Sequence, residues 1–477
     1  MQNDIIFQPL EFRHLTIKNR IFRSNISGRF DNYDGSGNQA RINWEEKFAR
    51  GGVGAIVSSF VPVTIKGRIV PNYATIHCDD RISFWHQVGE KVHEYGCKFI
   101  MQLSHSGRQQ DIQGIENDYI RQSSTSHTES FHGLECRAMS KDEIWQVVQA
   151  FGKGAKRAQE AGLDGVELHG ANGYLITQFL SSGINDRTDE FGGSLRNRAR
   201  FLLEIIEAVR QEVGDKFHFQ VKISAEDFNN AVIPWEKPGN KLEETVQICQ
   251  WLEEAGVDAI HVSVGSLFPH PLNPPGTFPL GGKYATDKAS NSYDTMLSSG
   301  NLTFRNYLLF RYPVLHKIFE WLWYRIPRKV YRREGNLIQG APVKAAELCP
   351  DFSRFVSLEK VQQLLETYQG RNLGYARSIK KNVKIPVICT GGFQQASYIR
   401  KAISEEFCDA VSIARPLVAN NDLVQKFAQG KDISDRPCTY CNKCLLNTLK
   451  NPLGCYEIAR YGDDYNEMIR EIMTVFT

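Results

Sequence analysis

The chain has 477 residues, of which 42% are hydrophobic and 23% charged, and it carries a formal net charge of +3. That is ordinary composition for a soluble globular protein, and the balanced charge excludes nucleic acid as an overall partner. No stretch approaches 18 uninterrupted apolar residues, so no membrane-spanning helix is expected. The N-terminus, Met1-Gln-Asn-Asp-Ile-Ile, lacks the basic and then apolar order of a secretory leader. Seven of the eleven cysteines are scattered, several in apolar runs, while Cys438, Cys441, Cys444 and Cys455 crowd the C-terminal tail. Both groups fit a reducing, cytoplasmic compartment better than a disulfide framework.

In chain order, strand-like runs fall at 20–26, 53–60, 98–103, 164–168, 218–223, 258–264, 385–390 and 409–414, with amphipathic helices between them, for example at 141–161, 196–213 and 242–255. Ala161-Gly162 and Ala255-Gly256 each end a helix at glycine just before a buried strand. Eight β-then-α units predict a parallel sheet closed as a (β/α)₈ TIM barrel, with a doubly wound open sheet as the alternative. The spacing breaks once, after strand six, so 266–345 reads as an insertion or lid. The barrel is then 1–265 with 346–430, and 431–477 is a Cys-rich tail. Within the insertion, 304–334 carries eight Lys or Arg against two Glu, and Leu315, Ile318, Phe319, Leu322 and Ile326 share one helical face. That segment is either a lid with a solvated basic edge or a peripheral contact to a membrane or protein partner.

Barrel active sites form at the C-terminal ends of strands. Strand four ends in His169, followed by Asn172 and Tyr174. These offer two hydrogen-bond donors for a substrate oxygen and a phenol beside them, a group suited to polarising a carbonyl and delivering a proton. The plainer alternative is a polar strand end that caps the next helix. Gln102 ends strand three, where its amide can pair with a heterocycle edge, and Lys222 on strand five suits a negatively charged ring. Thr390-Gly391-Gly392 after strand seven, with Ala414-Arg415 after strand eight, reads as a phosphate site.

In this order, Pro9-Leu-Glu-Phe, Arg50-Gly-Gly-Val-Gly, Gln102-Leu-Ser-His-Ser-Gly-Arg108, His169-Gly-Ala-Asn-Gly-Tyr-Leu, Asn185-Asp-Arg-Thr-Asp-Glu-Phe-Gly-Gly and Thr390-Gly-Gly resemble the old yellow enzyme family of FMN-dependent NADH:flavin oxidoreductases. The chain is more closely similar to the 2,4-dienoyl-CoA reductase branch, without its C-terminal flavin domain. The resemblance implies FMN across the barrel mouth, with Ser24, Asn25, Ile26 and Ser27 along the isoalloxazine. Gln102 would meet its pyrimidine edge, Lys222 its N1/O2 side, and Gly391, Gly392, Ala414 and Arg415 its phosphate end. NADH or NADPH would reduce the flavin. An α,β-unsaturated substrate would then be held by His169 and Asn172 and protonated by Tyr174. Oxidation of amine-type substrates on the same barrel is the alternative activity.

Two departures stand out. Lys222 occupies a position where many relatives have Arg, and the strand-one turn reads Ser-Asn-Ile-Ser rather than an Ala-Pro-containing run. By the same resemblance, Cys438-x₂-Cys441-x₂-Cys444-x₁₀-Cys455 resembles a [4Fe–4S] region fed by an electron donor, here an external one. The spacing looks one residue shorter at two points, and structural zinc or no metal are the other readings.

Overall fold

The computed structural model describes residues 4–110, 120–129, 135–277, 312–334, 337–448 and 451–477. Eight parallel strands close into a barrel in chain order, which excludes the open sheet. They are β1 (Ile21–Arg23), β2 (Ala55–Pro62), β3 (Lys98–Ser104), β4 (Gly165–Gly170), β5 (His218–Ser224), β6 (Ala259–Ser263), β7 (Val387–Thr390) and β8 (Ala410–Ile413). The widest departure from expectation is β1, which ends at Arg23 because the chain leaves the sheet at Ser24 and turns toward the barrel mouth.

Helices α1 (Gln39–Arg50), α2 (Ile82–His93), α3 (Lys141–Glu160), α4 (Leu195–Val213) and α5 (Leu242–Glu254) cover the first half of the barrel. α3 starts at a reciprocal cap in which Glu143 N donates to Ser140 Oγ at 3.2 Å and Ser140 N donates to the Glu143 carboxylate at 2.9 Å. α3 and α5 run out at Gly162 and Gly256, whose φ of 73° and 84° lets the chain reverse directly into β4 and β6. Between barrel and helices the apolar faces form one large core.

The barrel interior is not uniformly apolar. Gln102, Glu167 and Gln220 stand side by side on β3, β4 and β5, and His169, Lys222 and His261 do so on β4, β5 and β6. All six side chains are buried. Next to β1, Arg23 pairs with Glu45 on α1, and Arg41 pairs with Glu45 at 3.4 Å and with Asp31 at 2.5 Å, all with no exposed side chain. Removing one acid leaves guanidinium charge uncompensated in a dry interior. Glu45→Ala is therefore expected to lower unfolding stability by about 3–5 kcal/mol in urea titrations, the usual cost of breaking a buried ion pair.

The described part of the insertion holds α6 (Pro313–Trp323) and α7 (Arg325–Glu334); 304–311 lies outside the described residues. The expected apolar face is corrected. Phe319, Trp323, Ile326 and Val330 are buried, whereas Leu315 and Ile318 are exposed. Tyr324 ends α6 outside helical geometry, so one helical period does not run through both helices. α7 docks on the barrel core through Ile326 and Val330, and Arg325 donates to the Asn230 carbonyl at 2.7 Å. Beyond β6 the barrel resumes with α8 (Leu373–Lys380), β7, α9 (Ala396–Ser404) and β8. The tail packs back onto this half, burying Tyr440, Leu446 and Leu453. Among the described residues no helix is long and apolar enough to cross a membrane.

Candidate active site

A cavity of about 250 Å³ opens at the C-terminal ends of the strands. Its wall includes Ser24, Asn25, Ile26 and Ser27 after β1, His169, Asn172 and Tyr174 at and after β4, and Lys222 on β5. Thr390, Ala414 and Arg415 close the far end. The sequence thus brings together ten of its thirteen candidate catalytic and cofactor residues on one surface.

The β4 loop is held by its own backbone. Asn172 has a φ of 64°, its N–H donates to Ser224 Oγ at 3.2 Å, and its carbonyl accepts from Gln109 Nε2 at 2.8 Å. Gly173 follows at φ 79°, where a Cβ would sit 2.1 Å from the Ser266 carbonyl oxygen. Only glycine fits there. This turn sets Tyr174 beside His169, their ring centroids 4.8 Å apart at 68°, with Phe60 4.8 Å from Tyr174. Burial pushes the Tyr174 phenol further above its ordinary pKa, with Tyr73 adding to the shift. Burial, reinforced by the Lys222 charge, lowers His169 to about 3, so its imidazole is neutral at working pH. Lys222 falls to about 8 through burial, opposed by Glu167, and its ammonium donates to Asn25 Oδ1.

These residues fit the ring of a flavin. His169 Nδ1 is a buried polar atom without a hydrogen-bond partner, on a residue that lines the cavity beside the buried Lys222 ammonium. A polar heterocycle would suit both, which an apolar ligand would not.

Three candidates sit differently from expectation. Gln102 is not on the cavity wall but fully buried, donating through Nε2 to Glu167 at 2.7 Å. Gly391 and Gly392 are packed away from the cavity. A Cβ on Gly391 would meet the Arg371 and Asn372 nitrogens at 3.3 Å, and Tyr440 of the tail donates its hydroxyl to the Gly392 carbonyl at 2.5 Å. Arg415 does reach the cavity, with Nη2 donating to the Pro275 carbonyl at 2.5 Å and Nη1 donating to Asn442 of the tail.

The tail cysteines were expected to hold a metal. Cys444 lines the cavity and all four thiols are free and half-buried. Among the described residues, however, no three His, Cys, Asp or Glu side chains form a group able to hold a metal ion. Burial pushes Cys438 and Cys441 up, and Cys444 up to about 12, with neighbouring cysteines adding to each shift.

Sequence reasoning missed Tyr73, Phe60, Gln109 and the acid Glu167. Tyr73 and Phe60 come from loop and strand positions with no polar signature. Glu167 carried a readable signal, a lone carboxylate in a strand buried on both faces.

The profile of the NADH:flavin oxidoreductase / NADH oxidase family matches residues 5–279. The chain belongs to that family. It is 30% identical to an NADH oxidase of Thermoanaerobacter brockii over 92% of this chain and 52% of that protein. It is 37% identical to an NADPH dehydrogenase of Halalkalibacterium halodurans over 56% of this chain and 75% of that one. A cinnamate reductase of Clostridium sporogenes is 26% identical over 99% of this chain and 61% of its own length. The chain thus spans about half the length of the NADH oxidase it matches. Among solved structures, an old yellow enzyme homologue from Zymomonas mobilis aligns with a TM-score of 0.60 at 19% identity, covering 96% of this chain and 98% of that one. A 2-naphthoyl-CoA reductase complex aligns with a TM-score of 0.69 at 22% identity, covering 96% and 58%. At these identities the structural matches speak for the fold.

Proposed function

We propose that this chain binds FMN in the barrel cavity, takes reducing equivalents from NADH or NADPH, and reduces the C=C bond of α,β-unsaturated carbonyl compounds. The observation that carries this is the grouping of His169, Asn172 and Tyr174 on one cavity wall with Lys222 on the same surface. When bound in this cavity, FMN would supply the hydride that the substrate's β-carbon takes up. Neutral His169 and the Asn172 amide donate to the carbonyl oxygen, where charge develops as the β-carbon accepts hydride. Tyr174 holds a proton to far above neutral pH and delivers it to the α-carbon, where the enolate is a base strong enough to take it. Phe60, Ile69, Val70 and Phe268 give the cavity an apolar side suited to an alkene with an attached ring or chain. The cinnamate reductase relative fits the same substrate class.

The test is an anaerobic spectral cycle on the purified chain. NADH or NADPH is expected to bleach the flavin, and 2-cyclohexen-1-one or cinnamaldehyde to restore its colour. Bleaching by sarcosine without nicotinamide, and no recovery with enones, would favour the amine-oxidising alternative. A colourless protein without flavin would contradict both enzymatic readings and favour a binding role for the insertion.

A further inference from the structure

We propose that the outward face of α6, together with the basic start of α7, docks this chain on the surface of an anionic lipid bilayer. The contact is interfacial: α6 lies among the headgroups and does not cross the membrane.

α6 has two apolar sides. Phe319 and Trp323, four residues apart, are buried against the protein, and Ile326 and Val330 of α7 are buried in the same way. The other side of α6 has no such cover. Val314, Ile318 and Trp321 recur at spacings of four and three and so form one stripe, and they are 69%, 50% and 57% exposed. Tyr312 and Leu315 are exposed as well. Single apolar side chains on a surface need no explanation, but five exposed between Tyr312 and Trp321 make a patch that calls for a partner.

Charge decides what that partner is. Residues 304–334 carry eight Lys or Arg against two Glu, a surplus of six, whereas the whole chain carries only +3. The remainder of the chain is therefore net acidic, and the positive charge is concentrated around this stripe. Lys317 on α6 and Arg328 and Lys329 on α7 are exposed, with Glu320 the acid exposed among them. Arg328 is tied to the stripe by donating to the Trp321 carbonyl at 2.7 Å. Pairing of this face with a second copy of the chain would set like charges against each other. An anionic bilayer instead offers opposite charge at its surface and an apolar layer just beneath. Trp and Tyr are suited to that boundary, since their rings have an apolar body and a polar edge.

The test is cosedimentation of the purified chain, with whatever cofactor it holds, on two kinds of vesicle. One is phosphatidylcholine alone, and the other is phosphatidylcholine with an equal share of phosphatidylglycerol. The chain is expected to sediment with the second and not with the first. In about 1 M NaCl, where the screening length contracts to about 3 Å, the bound fraction falls sharply. Arg328→Glu with Lys329→Glu lowers the partition onto anionic vesicles by about ten-fold or more. Ile318→Ser with Trp321→Ser lowers it too, at unchanged charge. These four positions are exposed, so the variants are expected to melt with the wild type, and Val314→Ser with Leu315→Ser repeats the apolar arm should the first pair unfold. No sedimentation with anionic vesicles, equal sedimentation with neutral ones, or binding that survives loss of the apolar side chains overturns the proposal. A wild-type dimer that becomes monomeric in Ile318→Ser with Trp321→Ser, with vesicles left unbound, assigns the face to a second copy and overturns it as well. None of these outcomes bears on whether the cavity holds FMN.

Discussion

Replacing Tyr174 by Phe is expected to slow reoxidation of the reduced flavin by an enone by about 10²–10⁴-fold, the usual worth of a positioned general acid. Reduction by NADH or NADPH should change little, because hydride transfer to the flavin needs no proton from this phenol. The site is tolerant of the change in shape, since Phe keeps the ring that packs 4.8 Å from both Phe60 and His169. Stopped-flow measurement of the two half-reactions separates the cases. Because burial raises the phenol's pKa, the wild-type oxidative rate should not fall through neutral and mildly alkaline pH from loss of this proton. Equal slowing of both half-reactions would remove Tyr174 from the acid's role.

Asn172→Ala and His169→Ala are each expected to lower the same oxidative step by about 10²–10³-fold, as loss of one donor to a developing oxyanion does. The two losses should add up to less than their sum in free energy, since both donors serve one oxygen. His169 is already neutral above about pH 4, so the step should show no acid limb near the ordinary imidazole pKa. An acid limb near pH 6.5 that disappears in His169→Ala would show that the charged imidazole takes part, contrary to this account. Steady binding of FMN in both variants, read from their spectra, keeps the result a statement about chemistry.

Much of this was legible in the residues. Period and punctuation carried the barrel, because parallel strands buried on both faces read as short apolar runs, and Gly162 and Gly256 mark two helix ends. The β4 loop was readable as a site because its polar residues cluster where a strand ends. The expected phosphate site was less so. A Gly-Gly turn can open to an anion or pack tightly, and which happens at Gly391 and Gly392 depends on Tyr440, distant in sequence. The Gln102–Glu167 pairing was hidden for a similar reason, since register between β3 and β4 decides it. The insertion's apolar face was misjudged because apolar residues lie on more than one side of α6, and the surface it meets buries Phe319 and Trp323 rather than Leu315 and Ile318.

The proposed mechanism stands or falls with occupation of the strand-end cavity by FMN. It is tested most directly by releasing any bound chromophore from the purified chain and identifying it by mass, in the wild type and in Lys222→Met with Arg415→Ala. A single FMN per wild-type chain is expected, with loss of most of it when the Lys222 ammonium and the Arg415 guanidinium are both removed. Absence of FMN from the wild type, or its full retention in the double variant, would contradict it.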